Sequence, residues 1–239
     1  MIITRRGMLL IAATLPLSAR STEFWNRKNP SEWSAEEVDR LITKSPWAKE
    51  IAVSALQSGS GAGRSRGGLS IPGLGGIGGG RRGDRPAGGG QQYHGVVRWE
   101  SAKPVLEAMK APLPAEFSDH YVISVSGIPM PSLRSPNSDD GGADAAARAR
   151  QREVEGVLDK LKGLTYLELK GAKSAQPGIV QETPLGVGET RTVLFGFSKA
   201  LLPLSPDDQE VGFITQMETI PVKAKFNLKE MMYHGEFAV

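Results

Sequence analysis

Residues 63–90 read GRSRGGLSIPGLGGIGGGRRGDRPAGGG. A stretch of this composition limits what the rest of the chain can build. Residues 58–92 have no apolar period and are dominated by glycine, so they bury too little surface to offset the entropy lost on ordering. Fifteen of the 29 glycines of this 239-residue chain lie between Gly59 and Gly90. We therefore read 58–92 as a disordered Gly/Arg-rich linker, with ordered structure expected over 20–57 and 93–239. As a free coil the linker would span roughly 30–35 Å r.m.s..

Several motifs fall inside the linker. Gly73, Gly75 and Gly78 match the spacing of a dinucleotide fingerprint. That motif needs a strand before it, a helix after it and an acid about twenty residues on. Pro72 precedes it here, more glycine follows and Asp84 comes too early. Arg82-Gly83-Asp84 spells an adhesion tripeptide, which one aspartate among glycines and arginines produces by chance. Arg64, Arg66, Arg81, Arg82 and Arg85 could neutralise phosphates, but no aromatic side chain is interleaved to stack on bases. They are instead candidate contacts to an anionic surface such as an envelope polymer or lipid headgroups.

The positive charge of the chain is local. The linker holds five arginines against one acid, and the N-terminus adds Arg5 and Arg6. Elsewhere acids slightly outnumber bases, so a basic globular face for nucleic acid is not expected. The N-terminus, MIITRRGMLLIAATLPLSAR, places two arginines before an apolar run from Met8 to Leu17, with Leu17-Ser18-Ala19 as a cleavage site. This is the layout of a secretory signal peptide over 1–19, and Arg5-Arg6 also fits a twin-arginine leader. The mature protein is thus expected in the periplasm or at the cell surface. No later segment is apolar enough to span a membrane. The chain has no cysteine, which removes disulfides, thiolate metal sites and cysteine nucleophiles together.

Residues 20–57 read as a two-helix segment. Ser34 and Glu37 form a capping box, and Trp33 stands where a hydrophobic staple would meet Val38. Val38, Leu41 and Ile42 share a face. Ser45-Pro46 looks like a second helix start, with Trp47, Ile51 and Ala55 on one side. Trp33 and Trp47 are the candidate partner contacts. They must be buried either on the chain's own sheet or on another protein, and docking at home is the expectation.

Residues 93–239 predict an α+β domain, mostly antiparallel sheet with a few packed helices. Strands are expected over 95–101, 120–128, 165–171, 178–183, 190–199, 210–217 and 221–226, separated by turn signals. Helices are expected over 102–111 and 144–162, the latter with Val154, Val157, Leu158, Leu161 and Leu164 inward and Gly163 as its stop. Residues 227–235, NLKEMMYHG, read as one or two helical turns capped by Asn227 and stopped at Gly235.

The pieces SPWAKE, VVRWESAKPVLEA, YVISVSGIP, LKGLTYLELKG and VKAKFNLKEMMYHGEFAV together resemble an uncharacterised family of exported proteins of acidobacterial type. The resemblance covers most of the chain outside the leader and the linker. It implies export and carries no assigned activity.

Constellations that would carry catalysis are scarce. His94, His120 and His234 show no metal-ligand spacing, and element ends or turns are their expected places. Ser118-Asp119-His120 holds three triad residue types, but sequence neighbours rarely face one another. Asn137, Asp139, Asp140 and Asp144 depart from the calcium-loop spacing and read as a polar turn with a helix cap, and Asp207-Asp208 reads as a turn. No cofactor, metal or catalytic residue is assigned. The expected function is that of an exported, non-catalytic module acting through an unknown protein or an anionic envelope component. The alternatives are an extracytoplasmic hydrolase built from dispersed histidines and carboxylates, and nucleic-acid binding through the arginines.

Overall fold

The computed structural model describes residues 23–55, 92–129, 143–171, 174–183 and 192–239. The expected leader (1–19), the five arginines of the expected linker, and Asn137, Asp139 and Asp140 lie outside these residues. The fold is α+β, with three α-helices and eleven strands among the described residues.

The N-terminal helix, α1 (Ala35–Thr43), begins where the sequence says it should. Ser34 Oγ accepts the Glu37 backbone N–H at 3.2 Å, and Glu37 Oε2 accepts the Ser34 N–H at 2.9 Å. Two orphan donors of the first turn are thereby satisfied. Leu41 is fully buried on its inner face.

The second expected helix is a strand, β1 (Ala48–Ser54). Ser45-Pro46 opens a tight turn in which the Ala48 N–H returns to the Ser45 carbonyl at 3.2 Å. Ser45 Oγ accepts the Trp47 N–H at 3.1 Å. Serine before proline suits a turn as well as a helix start, so the local signal was ambiguous. What decides it is the pairing of β1 with β2 (Gln92–Trp99), in register from Ala48↔Arg98 to Ser54↔Gln92. Lys49, Ile51 and Val53 then share one face, and the alternation of IAVS outweighs the helix propensity of Ala, Lys and Glu.

The rest of the chain supplies α2 (Lys103–Met109), β3 (His120–Ser126), α3 (Ala143–Leu164), β4 (Tyr166–Leu169), β5 (Ser174–Ala175), β6 (Ile179–Thr183), β7 (Thr192–Ser198), β8 (Glu210–Met217) and β9 (Ile220–Asn227). All pairings are antiparallel. One sheet runs β1-β2-β3-β7-β6 and the other β5-β4-β8-β9. The edges of the two sheets lie side by side along β1 and β9, and α3 packs against β6 and β8. Trp99 meets Phe226 edge-on at 5.4 Å, and Phe213 meets Phe195 at 5.4 Å and Phe197 at 6.3 Å. These ring contacts join the sheets into one core. Each fully buried ring contributes about 1.5–3 kcal/mol of transfer free energy. On the other face of the larger sheet Gly196 leaves room for Phe117, since a Cβ there would lie 2.8 Å from that ring.

Helix α3 runs through Gly163 to Leu164, one residue beyond the expected stop. Leu161 is buried, whereas Leu164 is 45% exposed. The C-terminal segment departs further from expectation. NLKEMMYHG makes a single 3-10 turn at Leu228–Glu230, with Asn227 Oδ1 capping the Lys229 N–H. A two-stranded hairpin follows, β10 (Met232–Tyr233) and β11 (Glu236–Phe237). His234 and Gly235 take positive φ, 49° and 86°. That pair of values is what a two-residue type I′ hairpin turn requires.

Candidate functional site

Trp47 is where the N-terminal and C-terminal ends of the described residues meet. Its ring is fully buried, and its indole N–H donates to the Ala238 carbonyl at 2.6 Å. Trp25, in the 3-10 turn Phe24–Asn26, packs edge-on against it at 5.6 Å. Phe24 in turn meets Trp33 at 5.8 Å. The Asn26 side-chain carbonyl accepts the His234 backbone N–H at 2.8 Å. The C-terminal hairpin is also tied to α2, where the Tyr233 hydroxyl donates to Glu107 Oε2. Burial, reinforced by the Glu107 carboxylate, raises the pKa of that hydroxyl. Trp33 and Trp47, singled out as partner contacts, are therefore core residues and dock at home.

A cleft of about 1410 Å³ opens beside this junction. Its walls come from the Phe24–Asn26 turn, the end of α1, the start of β1 and the segment 229–235. Trp25, Pro46, Ala48 and Met232 supply apolar wall. The charged lining is uneven: Arg27, Arg40, Lys44, Lys49 and Lys229 face Glu23, Glu50 and Glu230. Arg40 pairs with Glu23 at 3.0 Å, and Lys44 with Glu50 at 3.2 Å. Glu230 accepts from the neutral Asn227 amide, and Lys49 Nζ donates to the Ser45 carbonyl. Among the described residues no carboxylate pairs with Arg27, Lys49 or Lys229. His234, on the hairpin turn, also lines the cleft.

A second polar cluster lies on the outer face of the larger sheet. The Arg98 guanidinium donates twice to Glu100 Oε1, at 2.9 and 2.6 Å, and once to the Ile42 carbonyl at 3.4 Å. Ser124 Oγ donates to the same carboxylate oxygen at 2.6 Å. Arg98 and Glu100 are nearly buried, so the pair fastens α1 to the sheet. Removing one partner would strand a buried charge.

The histidines do not converge. His94 lies near the start of β2 and His120 opens the antiparallel β3, so they stand at opposite ends of the sheet, and His234 is on the C-terminal turn. His120 Nδ1 is buried without a partner among the described residues. Ser118 closes a 3-10 turn, and the Asp119 carbonyl accepts the Lys199 N–H. Asp208 accepts the Ser205 N–H in the expected turn. No group of three His, Cys, Asp or Glu among the described residues could hold a metal ion.

The arginine-bearing segment is outside the described residues, but its anchors are not. Ser54 and Gln92 are directly paired, so the segment closes a hairpin between adjacent strands. The 20–57 segment, expected to dock at home, does so as a strand of the larger sheet. The cleft residues were missed because they come from the N-terminal turn, β1 and the C-terminal turn, which no single window contains. The ends of α1 and β1 gave only weak charge signals. No protein-family model, curated protein or solved structure matches the chain.

Proposed function

We propose that the protein is an exported, non-catalytic module that engages an anionic cell-envelope component through the arginine-rich loop between β1 and β2. The observation that carries this reading is the pairing of Ser54 with Gln92. It pins both ends of a segment holding five arginines and one acid to one end of a rigid sheet. Because both ends of the segment start from neighbouring strands, chain length alone limits how far its arginines can lie from that end of the sheet. Each arginine near an anionic membrane contributes about 1 kcal/mol, and the attraction falls off within a Debye length. The leader-like N-terminus and the family resemblance both support export. No helix among the described residues is long and apolar enough to cross a membrane.

The test is co-sedimentation of the mature protein with phosphatidylglycerol vesicles and with envelope fractions, against neutral vesicles. Binding should be salt-sensitive and should be lost when Arg64, Arg66, Arg81, Arg82 and Arg85 are all changed to glutamine. Equal binding by that variant would refute the reading. Export is checked separately, by finding a new N-terminus near Arg20 in the native protein.

A further inference from the structure

The cleft beside Trp47 lies at the start of β1, whereas the arginine-rich loop leaves from its end. Seven residues of strand separate them by about 20 Å. The cleft is thus a second feature, and its charge pattern is its own. Two of its five cations are neutralised by Glu23 and Glu50. Arg27, Lys49 and Lys229 have no carboxylate partner among the described residues, and the one remaining acid of the lining, Glu230, is held by a neutral amide. The lining therefore carries a residual charge near +2.

We infer that this cleft binds a phosphate monoester. Such a group carries about −1.5 to −2 charge at neutral pH and has three strong acceptor oxygens. It matches the residual charge, whereas a carboxylate would leave about half of it unmet. The three unpaired cations reach the cleft from three different elements. Arg27 follows the Phe24–Asn26 turn, Lys49 sits on β1 and Lys229 sits in the turn after β9. The Asn26–His234 hydrogen bond ties the turn before Arg27 to the C-terminal hairpin, which follows the turn carrying Lys229, so the backbones that bear these two cations belong to connected walls of the cleft. Charge-assisted contacts to phosphate are among the stronger hydrogen bonds. The cleft exceeds the 300–1,000 Å³ usual for small-molecule pockets, so the ester's organic part has room beside Pro46 and Met232. This inference stands apart from the proposed envelope contact, since none of its residues belongs to the arginine-rich loop.

The experiment is calorimetric titration of the full chain with glycerol 1-phosphate, with inorganic phosphate and acetate as comparators. Saturable one-site binding of the ester, tighter than that of either comparator, is expected. Arg27→Gln and Lys229→Gln should each weaken it roughly three- to tenfold, in line with the modest worth of solvent-exposed charged contacts. The triple variant with Lys49→Gln should abolish it. Lys28→Gln, outside the cleft, should leave it unchanged. Lys49 also bonds the Ser45 carbonyl, so should the triple variant fail to fold, the exposed Arg27 and Lys229 variants decide. Unchanged affinity in those two, or acetate binding as tightly as the ester, overturns the inference. Inorganic phosphate matching the ester would overturn the ester assignment and leave a site for the free ion.

Discussion

Helix α1 and strand β1 are neighbours in sequence, and local signals suggest helix for both. Only α1 is one. The difference lies in where each element satisfies its backbone. The first turn of α1 closes on itself through Ser34 and Glu37, so its start is determined within four residues. The partner of β1 is β2, on the far side of the Gly/Arg-rich segment. Serine and proline before Trp47 fit either outcome locally, and a sheet formed by distant residues selects between them. A side chain that bonds its own turn is strong evidence for an element's start. A dipeptide that merely permits a start is weak evidence.

The largest effect should come from the β1 side of this comparison. Trp47 is fully buried against Trp25 and bonds Ala238. Trp47→Ala should cost about 3–5 kcal/mol, as large-to-small changes of buried aromatics do. Denaturant unfolding measures it, and a loss below about 0.5 kcal/mol, the size of a surface substitution, would contradict burial at this junction. Trp47→Phe keeps most of the ring but leaves the Ala238 carbonyl without its donor. It should cost about 1–3 kcal/mol.

The hairpin closure makes a second claim. Deleting residues 58–90 leaves Ala55, Leu56, Gln57 and Gln91 to join the strands, a common hairpin loop length. Closure cost falls by about 0.6 kcal/mol per halving of the loop, so a roughly ninefold shortening should stabilise the fold by about 2 kcal/mol. A lowered midpoint would mean that the segment packs on the domain, or that β1 and β2 are not directly joined partners.

Much of the sheet was legible in the sequence, because alternating runs such as HYVISVSGI and EVGFITQM sit between clear turn signals and match β3 and β8. The C-terminal end was not. Lys, Glu and Met favour helix locally, yet Met232 and Tyr233 pair with Phe237 and Glu236. The signal that could have shown it is His234-Gly235, in the positions that Asn-Gly takes in a hairpin. Gly235 was read as a helix stop because glycine serves both. The cleft was illegible for a different reason. Its cations are ordinary surface residues one at a time, and only the folding of both chain ends around Trp47 brings them to one place.

On the α1 side the expected losses are smaller, because the cap is exposed. Ser34→Ala removes the hydroxyl that receives the Glu37 N–H and should cost about 1 kcal/mol. Ser34→Gly should cost only a few tenths. A loss as large as that of Trp47→Ala would show that α1 depends on Ser34 for more than its cap.

The smallest effect concerns the other half of the same cap. The Lys28 ammonium, which bonds Glu37 at 2.5 Å, is the main cause holding the Glu37 carboxyl below the ordinary glutamate value of 4.5, and the Ser34 backbone N–H adds to it. A carboxyl with a depressed folded pKa contributes stability above its unfolded value. As pH falls below 4.5 the unfolded chain takes up the proton first, and the contribution fades until the folded carboxyl is protonated too. Glu37→Gln has no such titration. The midpoint difference between the parent protein and Glu37→Gln should therefore be greatest at neutral pH and shrink in acid. Because the Lys28–Glu37 pair is open to solvent on the Lys28 side, added salt should shrink it as well. A difference that stays constant from pH 7 to pH 3 would mean that Glu37 acts by packing or propensity, leaving Ser34 as the sole determinant of where α1 begins.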